Sequence, residues 1–149
     1  MKKILFIASL AIAFVACKNN DKKAVGGQLT PEQIEKSATD TANFTSIQWL
    51  DSTYLDLGKI TKDQSIEISF RFKNVGTKNL VIENVSAQCG CTIPEKPAKA
   101  FAPGEEGVIK AKFNGSGHGQ IRKEVYVTAN TNGPNPYTLT FGGEIVEKN

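Results

Sequence analysis

Hydrophobic and polar residues alternate along the segment that follows Ser65. Ile66, Ile68, Phe70 and Phe72 occupy every second position, and charged or polar residues fill the gaps. This period of two places one set of side chains on each face of a β-strand, whereas an amphipathic helix needs apolar residues three and four positions apart. The pattern therefore predicts a half-buried strand.

A turn and a second strand follow. Residues 74–79 are rich in Asn and Gly, which tolerate positive φ at low cost, so they predict a turn. Leu80, Ile82 and Val85 then resume the apolar set. The changed spacing between Ile82 and Val85 predicts a β-bulge or a strand end near Asn84.

Five further segments show strand patterns separated by Gly-, Pro- and Asn-rich turns: residues 46–50, 54–60, 106–113, 120–129 and 137–146. Gly58 interrupts the second of these. About seven short strands in roughly a hundred residues predict an all-β, immunoglobulin-like antiparallel β-sandwich. The predicted core consists of Trp49, Phe70, Phe72, Ile82, Ile109, Phe113, Val125, Val127, Leu139 and Phe141.

The N-terminus carries a targeting signal. Lys2 and Lys3 precede an apolar stretch, residues 4–13, that is too short to span a bilayer stably. The following Phe-Val-Ala-Cys string, which ends at Cys17, resembles the lipobox of bacterial lipoproteins. We predict a signal peptide over residues 1–16, cleavage before Cys17, and attachment of acyl chains to Cys17. An ordinary secretory signal with a chance cysteine is the alternative.

Residues 17–44 are predicted to form the lipidated cysteine and a polar, flexible tether, and residues 45–149 the folded domain. Two or three acyl chains on Cys17 anchor a protein stably to a membrane. Lys18 does not match the Asp that retains many lipoproteins at the inner membrane. We therefore expect a cell-envelope location at the outer membrane, facing the periplasm, with the cell surface and the inner membrane as alternatives.

The charge of the chain argues against a nucleic-acid partner. The whole sequence has 18 basic and 15 acidic residues, and removal of Lys2 and Lys3 with the signal peptide leaves 18 − 2 = 16 basic residues. The net charge then falls from +3 to +1. A nucleic-acid-binding domain is typically far more basic.

Cys89 and Cys91 are the sharpest chemical feature of the domain. The chain has 3 cysteines, and lipidation of Cys17 leaves this pair. Residues two apart on an extended segment point to the same side, and Gly90 allows the kink that brings the sulfurs together. An oxidising compartment permits a disulfide. Three interpretations stay open: a structural element, a thiol redox or mixed-disulfide site, and capture of Cu(I), which two thiolates suit.

His118 is a weak candidate for a further ligand. It lies in a Gly-rich segment, residues 115–119, between two predicted strands. A nucleophile elbow requires a strand-to-helix turn, and a phosphate cradle requires a following helix, so neither is supported. We predict a hairpin loop here, no catalytic residues, and no cofactor apart from the Cu(I) alternative.

The sequence from Lys59 to Ile145 resembles the bacterial family catalogued as domain of unknown function 1573. The strings that carry the resemblance are Phe72-Lys73-Asn74-Val75-Gly76, Leu80-Val81-Ile82, Val85, Cys89-Gly90-Cys91-Thr92, Pro103-Gly104-Glu105, Val127-Thr128-Ala129-Asn130 and Gly143. Gln88 departs from the Ser that commonly precedes the first cysteine. The resemblance implies an immunoglobulin-like fold similar to major-sperm-protein-like and cilia-associated domains, and it implies no established catalytic residues.

These features together predict a lipid-anchored cell-envelope protein that acts as a non-catalytic interaction or assembly module. Its expected partners are the membrane, through the acyl chains on Cys17, and another envelope protein, through a sheet edge or loops. The alternative is a thiol redox or Cu(I)-handling protein that uses Cys89 and Cys91. Fold alone does not choose between them.

Overall fold

The computed structural model describes residues 41–148. The predicted signal peptide, the predicted lipidation of Cys17 and most of the predicted tether lie outside these residues. The described chain begins with a 3-10 turn, Thr41–Asn43, and continues as eight strands. They are β1 (Ile47–Trp49), β2 (Tyr54–Thr61), β3 (Ile66–Asn74), β4 (Ile82–Ala87), β5 (Thr92–Glu95), β6 (Glu106–Phe113), β7 (Gly119–Ala129) and β8 (Tyr137–Val146). No helix in this part of the chain has the length and apolarity that crossing a membrane requires.

The strands form two stacked sheets, which confirms the predicted sandwich. One sheet has the order β1-β3-β6-β5 and the other the order β2-β8-β7-β4. All pairs are antiparallel except β2 with β8, which run parallel. Alternation of side chains is the same in parallel and antiparallel strands, so the sequence pattern did not distinguish this pair.

The two breaks in the apolar–polar alternation, at Gly58 and near Asn84, coincide with shifts in strand register in the structure. The register of β2 against β8 shifts between Asp56 and Lys59, where Gly58 has a φ of 63°. The register of β4 against β7 shifts between Ile82 and Asn84, which confirms the bulge predicted there. Glycine suits the first site because only a residue without Cβ adopts positive φ without strain.

The sequence pattern did not predict the strand β5. It has four residues, pairs only with β6, and contains Pro94. A proline within such a short run argues against a strand except at the edge of a sheet, where its missing N–H faces outward. Because β5 is such an edge strand, the proline is tolerated.

The core lies between the sheets, as predicted. Nine of the ten predicted core residues are buried, and Trp49 is half-buried against them. Further buried apolar residues that the prediction omitted are Ile60, Ile68, Leu80, Val81, Phe101, Ala111, Ala129 and Ile145. Phe101 lies outside any strand and reaches the core through an isolated bridge to Leu80.

The two ends of the sandwich, which we call its poles, carry different groups, and the chain enters at the N-terminal pole. At the N-terminal pole, Asn43 O accepts a hydrogen bond from Asn130 Nδ2 (2.9 Å), and Thr45 N donates to Asn130 O (3.0 Å). The buried side chain of Asn74 lies at the same pole, because Asn74 pairs with Ile47. The chain thus enters the domain at the pole that carries this network of buried asparagines.

Candidate functional site

Cys89 and Cys91 form a disulfide at the opposite end of the sandwich, which we call the disulfide pole. Their Cα atoms lie 5.3 Å apart. The bond closes the tight turn by which β4 of one sheet passes to β5 of the other. Thr92 N donates a hydrogen bond to Cys89 O (3.2 Å), which is the bond of a β-turn. The structure thus brings the predicted pair together on a chain crossing between the sheets.

The two sulfurs have unequal surroundings. Both cysteines are half-buried, but only Cys91 packs against the core cluster. Thr92 is buried, and its hydroxyl lies 3.9 Å from Cys91 Sγ. The hydroxyl is the donor of this contact because a disulfide sulfur carries no proton. We call Cys89 the outer sulfur, because it is not part of the core cluster, and Cys91 the supported sulfur.

The pair adds little to folding stability by loop closure. A loop of three residues restricts the unfolded chain only slightly, by about 1.6 kcal/mol in the chain-entropy relation. The larger share of the stability of this domain comes from burial of its aromatic and aliphatic core. Such a bond can be broken without a large loss of fold stability.

The disulfide pole lies far from the point where the chain enters the domain. Strand β3 spans the sandwich: Ile66 pairs with Phe113, which also pairs with Thr92, and Asn74 pairs with Ile47. The 9 residues of β3 span about 26 Å at the usual strand rise. The Cys89–Cys91 turn is thus separated by that length from Asn43 and Thr45.

His118 is exposed in the loop between β6 and β7. The prediction of a hairpin here was wrong, because β6 and β7 belong to different sheets and the loop crosses between them. Asn114 N donates to Cys91 O (3.0 Å), so the loop begins beside the disulfide. Within residues 41–148, no three His, Cys, Asp or Glu side chains converge on a metal site. Cu(I) binding stays a prediction for the reduced pair.

A groove beside β6 was not predicted from the sequence. Strand β5 covers β6 only from Lys110 to Phe113, whereas β6 begins at Glu106. A cavity of about 370 Å³ lies where β5 has left the sheet. It is lined by Glu95, Lys96, Pro97, Lys99, Phe101, Glu106, Gly107, Val108 and Lys110.

Backbone groups of β6 face this groove. Asn74 N donates to Glu105 O (2.9 Å), so the odd-numbered residues of β6 bond to β3. Asn114 N bonds to Cys91 O, so the even-numbered residues face β5. Glu106 and Val108 therefore direct their N–H and C=O groups into the groove. Among residues 41–148, no loop bonds to these groups.

The charged side chains around the groove are mostly paired. Lys99 forms an ion pair with Glu105, and this ammonium holds the pKa of the Glu105 carboxyl below its usual value. Lys110 Nζ lies 3.1 Å from Glu67 Oε1. Lys96 Nζ donates instead to the backbone oxygen of Glu83 (3.2 Å), and burial raises the pKa of the Glu83 carboxyl. The rim is thus nearly neutral, and backbone groups are its main recognition feature.

The outer edge of β5 is poorly suited to pairing with another strand. The backbone groups of its odd-numbered residues bond to β6, so the backbone N–H and C=O positions of Thr92 and Pro94 face away from β6. The N–H of Thr92 is used by Cys89 O, and Pro94 has none. An incoming strand finds no free donor here, whereas the groove beside Glu106 and Val108 offers both donors and acceptors.

Comparison with solved structures supports the fold. A protein of unknown function from Porphyromonas gingivalis W83 has a TM-score of 0.61 at 17% identity, covering 72% of this chain and 50% of that chain. This chain thus spans about half of that protein. The PapD-like domain 7 of human CEP192 has a TM-score of 0.58 at 9% identity, covering 85% of this chain and 99% of that one. At these identities the likeness shows the fold alone.

A third structure, the VesB protease of Vibrio cholerae, has a TM-score of 0.52 at 13% identity, covering 75% of this chain and 35% of that chain. No curated protein matches the sequence. The profile of the family described as Protein of unknown function (DUF1573) matches residues 47–145, which is more than half of the chain. Together with the sandwich, this match shows that the chain belongs to the DUF1573 family.

Proposed function

We propose that this protein is a lipid-anchored interaction module of the cell envelope that binds an extended segment of another protein in the groove beside β6. The observation that carries this proposal is the unpaired half of β6. Glu106 and Val108 present backbone donors and acceptors next to a cavity of about 370 Å³. No catalytic constellation is needed for this role.

An extended polypeptide is the occupant that fits these groups. A strand placed in the groove continues β5 along β6 and pairs with the backbone of Glu106 and Val108, which is the mode called β-augmentation. Phe101 and Val108 line the groove and supply apolar contact for alternate side chains of the guest. Because the rim is nearly neutral, main-chain bonds rather than charge select the guest.

The anchor in this proposal is Cys17. The lipobox-like string supports attachment of acyl chains to this cysteine, and two or more chains hold a protein stably on a bilayer. The described chain enters the domain at the N-terminal pole, through Asn43 and Thr45. The groove and the disulfide pole are then available to a partner in the envelope.

Replacement of the lipidated cysteine tests the anchor. We expect Cys17→Ala to abolish processing of the signal peptide and acylation, because the thioether requires the thiol. Membrane fractionation, mass measurement of the N-terminal peptide and labelling with a fatty-acid analogue report the outcome. Cys89→Ala is the matched control and is expected to retain the lipid. Normal lipid labelling of Cys17→Ala would contradict the anchor and leave the groove unaffected.

Removal of one groove donor tests the binding site. In Val108→Pro the N–H that faces the groove is lost, while the bonds of β6 to β3 are kept. We expect binding of the partner segment to weaken at least about tenfold, with a melting temperature lowered by no more than about 5 °C. Val108→Ile, which keeps both the N–H and a β-branched apolar side chain, is the control and should bind as the wild type does.

The partner is captured by a photo-cross-linker placed at Lys96, on the groove rim. Lys112, which lies on β6 outside the groove, is the matched control position. The captured segment is then synthesised, and its dissociation constant is measured for the wild type and both Val108 variants. Equal adducts at both positions, or equal affinity of Val108→Pro, would contradict the groove as the site.

A further inference from the structure

We propose that the Cys89–Cys91 disulfide is a thiol–disulfide exchange site whose substrates are cysteine thiols of other proteins. Three observations support this. The bond closes a turn of three residues and so contributes little to holding the fold together. It lies at a half-exposed turn. Its two sulfurs have different surroundings, since only Cys91 packs against the core and lies beside the hydroxyl of Thr92.

The geometry assigns a different role to each sulfur. Cys89 is the outer sulfur, outside the core cluster, and we assign it as the sulfur that an incoming thiolate attacks. Cys91 packs against the core and lies 3.9 Å from the hydroxyl of Thr92. As Cys91 leaves as a thiolate, this hydroxyl donates a hydrogen bond to the developing charge. A stabilised leaving thiolate accelerates the attack on its partner sulfur.

The exchange proceeds in two balanced steps. A partner thiolate attacks Cys89 Sγ, so that a partner–Cys89 bond forms, the Cys89–Cys91 bond breaks and the electron pair leaves with Cys91 Sγ, which takes a proton from water. A second thiolate of the same partner then attacks the partner's own sulfur in the mixed disulfide and releases Cys89 as a thiolate. The partner dithiol is oxidised to a disulfide by two electrons, and the cysteine pair is reduced by two. The reverse reaction uses the same steps.

The surroundings of the turn suit a protein substrate. Ile93, two residues after Cys91, is 65% exposed on the edge strand β5 and offers apolar contact beside the disulfide. The turn lies about 26 Å from the point where the chain enters the domain, as measured along β3. A lipid anchor at Cys17 therefore leaves this pole free to meet other proteins. The exchange chemistry itself does not depend on the groove beside β6.

The first test measures exchange in the folded protein. The full-length chain carrying Cys17→Ala, so that all thiol signal comes from the pair, is purified in detergent and mixed with a synthetic peptide that bears two cysteines. Samples are quenched by alkylation and analysed by mass spectrometry. We expect the pair to become reduced while an equal amount of peptide becomes oxidised, with the fluorescence of Trp49 unchanged. Reduction only after unfolding in urea would overturn the proposal and leave a structural cross-link.

The second test separates the two sulfurs. In the same background, Cys91→Ser and Cys89→Ser each keep one thiol and are treated with oxidised glutathione. We expect the mixed disulfide to form at least about tenfold faster in Cys91→Ser, which keeps the outer sulfur. Equal rates, or a faster reaction of Cys89→Ser, would overturn the assignment of the attacked sulfur.

The third test addresses Thr92. Thr92→Val removes the hydroxyl and keeps the shape, and Thr92→Ser keeps the hydroxyl. We expect reduction of the disulfide by the dithiol peptide to slow about threefold or more in Thr92→Val and to stay at the wild-type rate in Thr92→Ser. Equal rates for Thr92→Val and Thr92→Ser would show that the hydroxyl of Thr92 does not assist the departure of Cys91. The exchange assay uses a short dithiol peptide and no groove ligand, so loss of groove binding and loss of exchange are measured separately and are distinguishable.

Discussion

Asn74→Ala should lower the free energy of unfolding by about 3–5 kcal/mol, because it leaves several buried polar groups without partners. Asn74 is fully buried at the end of β3. Its Nδ2 donates to the carbonyl oxygens of Lys78 (2.7 Å) and Phe101 (2.8 Å). Its Oδ1 accepts from Thr45 Oγ1 (2.9 Å) and Gly76 N (3.1 Å). The side chain thus holds together the first residues of the domain, the β3–β4 turn and the segment around Phe101.

The measurement is urea unfolding followed by the fluorescence of Trp49. Asn74→Asp has the same size but replaces the donor nitrogen by an acceptor, so it faces two carbonyl oxygens and should be at least as destabilising as Asn74→Ala. Asn79→Ala alters an exposed side chain of the same turn and should change the stability by no more than about 0.5 kcal/mol. A loss below about 1 kcal/mol for Asn74→Ala would show that water replaces the asparagine bonds.

The fold was predictable because its strands are half-buried. In β3, apolar residues at 66, 68, 70 and 72 face the other sheet and the residues between them face solvent, so the period of two records the burial directly. The interruption at Gly58 and the bulge near Asn84 were visible for the same reason, since each changes the phase of the pattern. Local sequence was sufficient for the longer half-buried strands but not for β5, whose four residues include Pro94.

The remaining features depend on contacts between distant segments. Asn74 belongs to a string typical of a turn, yet the structure buries its side chain as a hub between three segments. Phe101 stands between alanines in no periodic pattern and is buried only because Leu80 pairs with it. The groove beside β6 arises because β5 is shorter than its neighbour. The unequal surroundings of Cys89 and Cys91 likewise depend on core packing that no local pattern records.

The aromatic cluster around Phe72 should be the most sensitive part of the apolar core. Phe72 is fully buried, and its ring meets that of Trp49 at 5.8 Å and that of Phe101 at 4.9 Å between centroids, both edge to face. Gly107 lies opposite Phe72 in the sheet, and a Cβ at Gly107 would overlap the rings of Phe72 and Phe101. The absence of a side chain at Gly107 is what lets the two rings meet.

Phe72→Ala is therefore expected to cost about 3–5 kcal/mol, through lost transfer free energy and the cavity that the neighbouring rings cannot fill. Phe72→Leu retains a branched apolar side chain and should cost about 1–2 kcal/mol. Lys73→Ala, at the adjacent outward-facing position, should change the stability by no more than about 0.5 kcal/mol, because its contact with Glu106 is a solvent-exposed ion pair at 3.7 Å. Urea unfolding should be followed by circular dichroism, since the loss of the Phe72 ring also alters the fluorescence of Trp49. If Phe72→Ala and Phe72→Leu were equally stable, the cluster would close around the smaller side chain, and Gly107 rather than Phe72 would be the residue that fixes its packing.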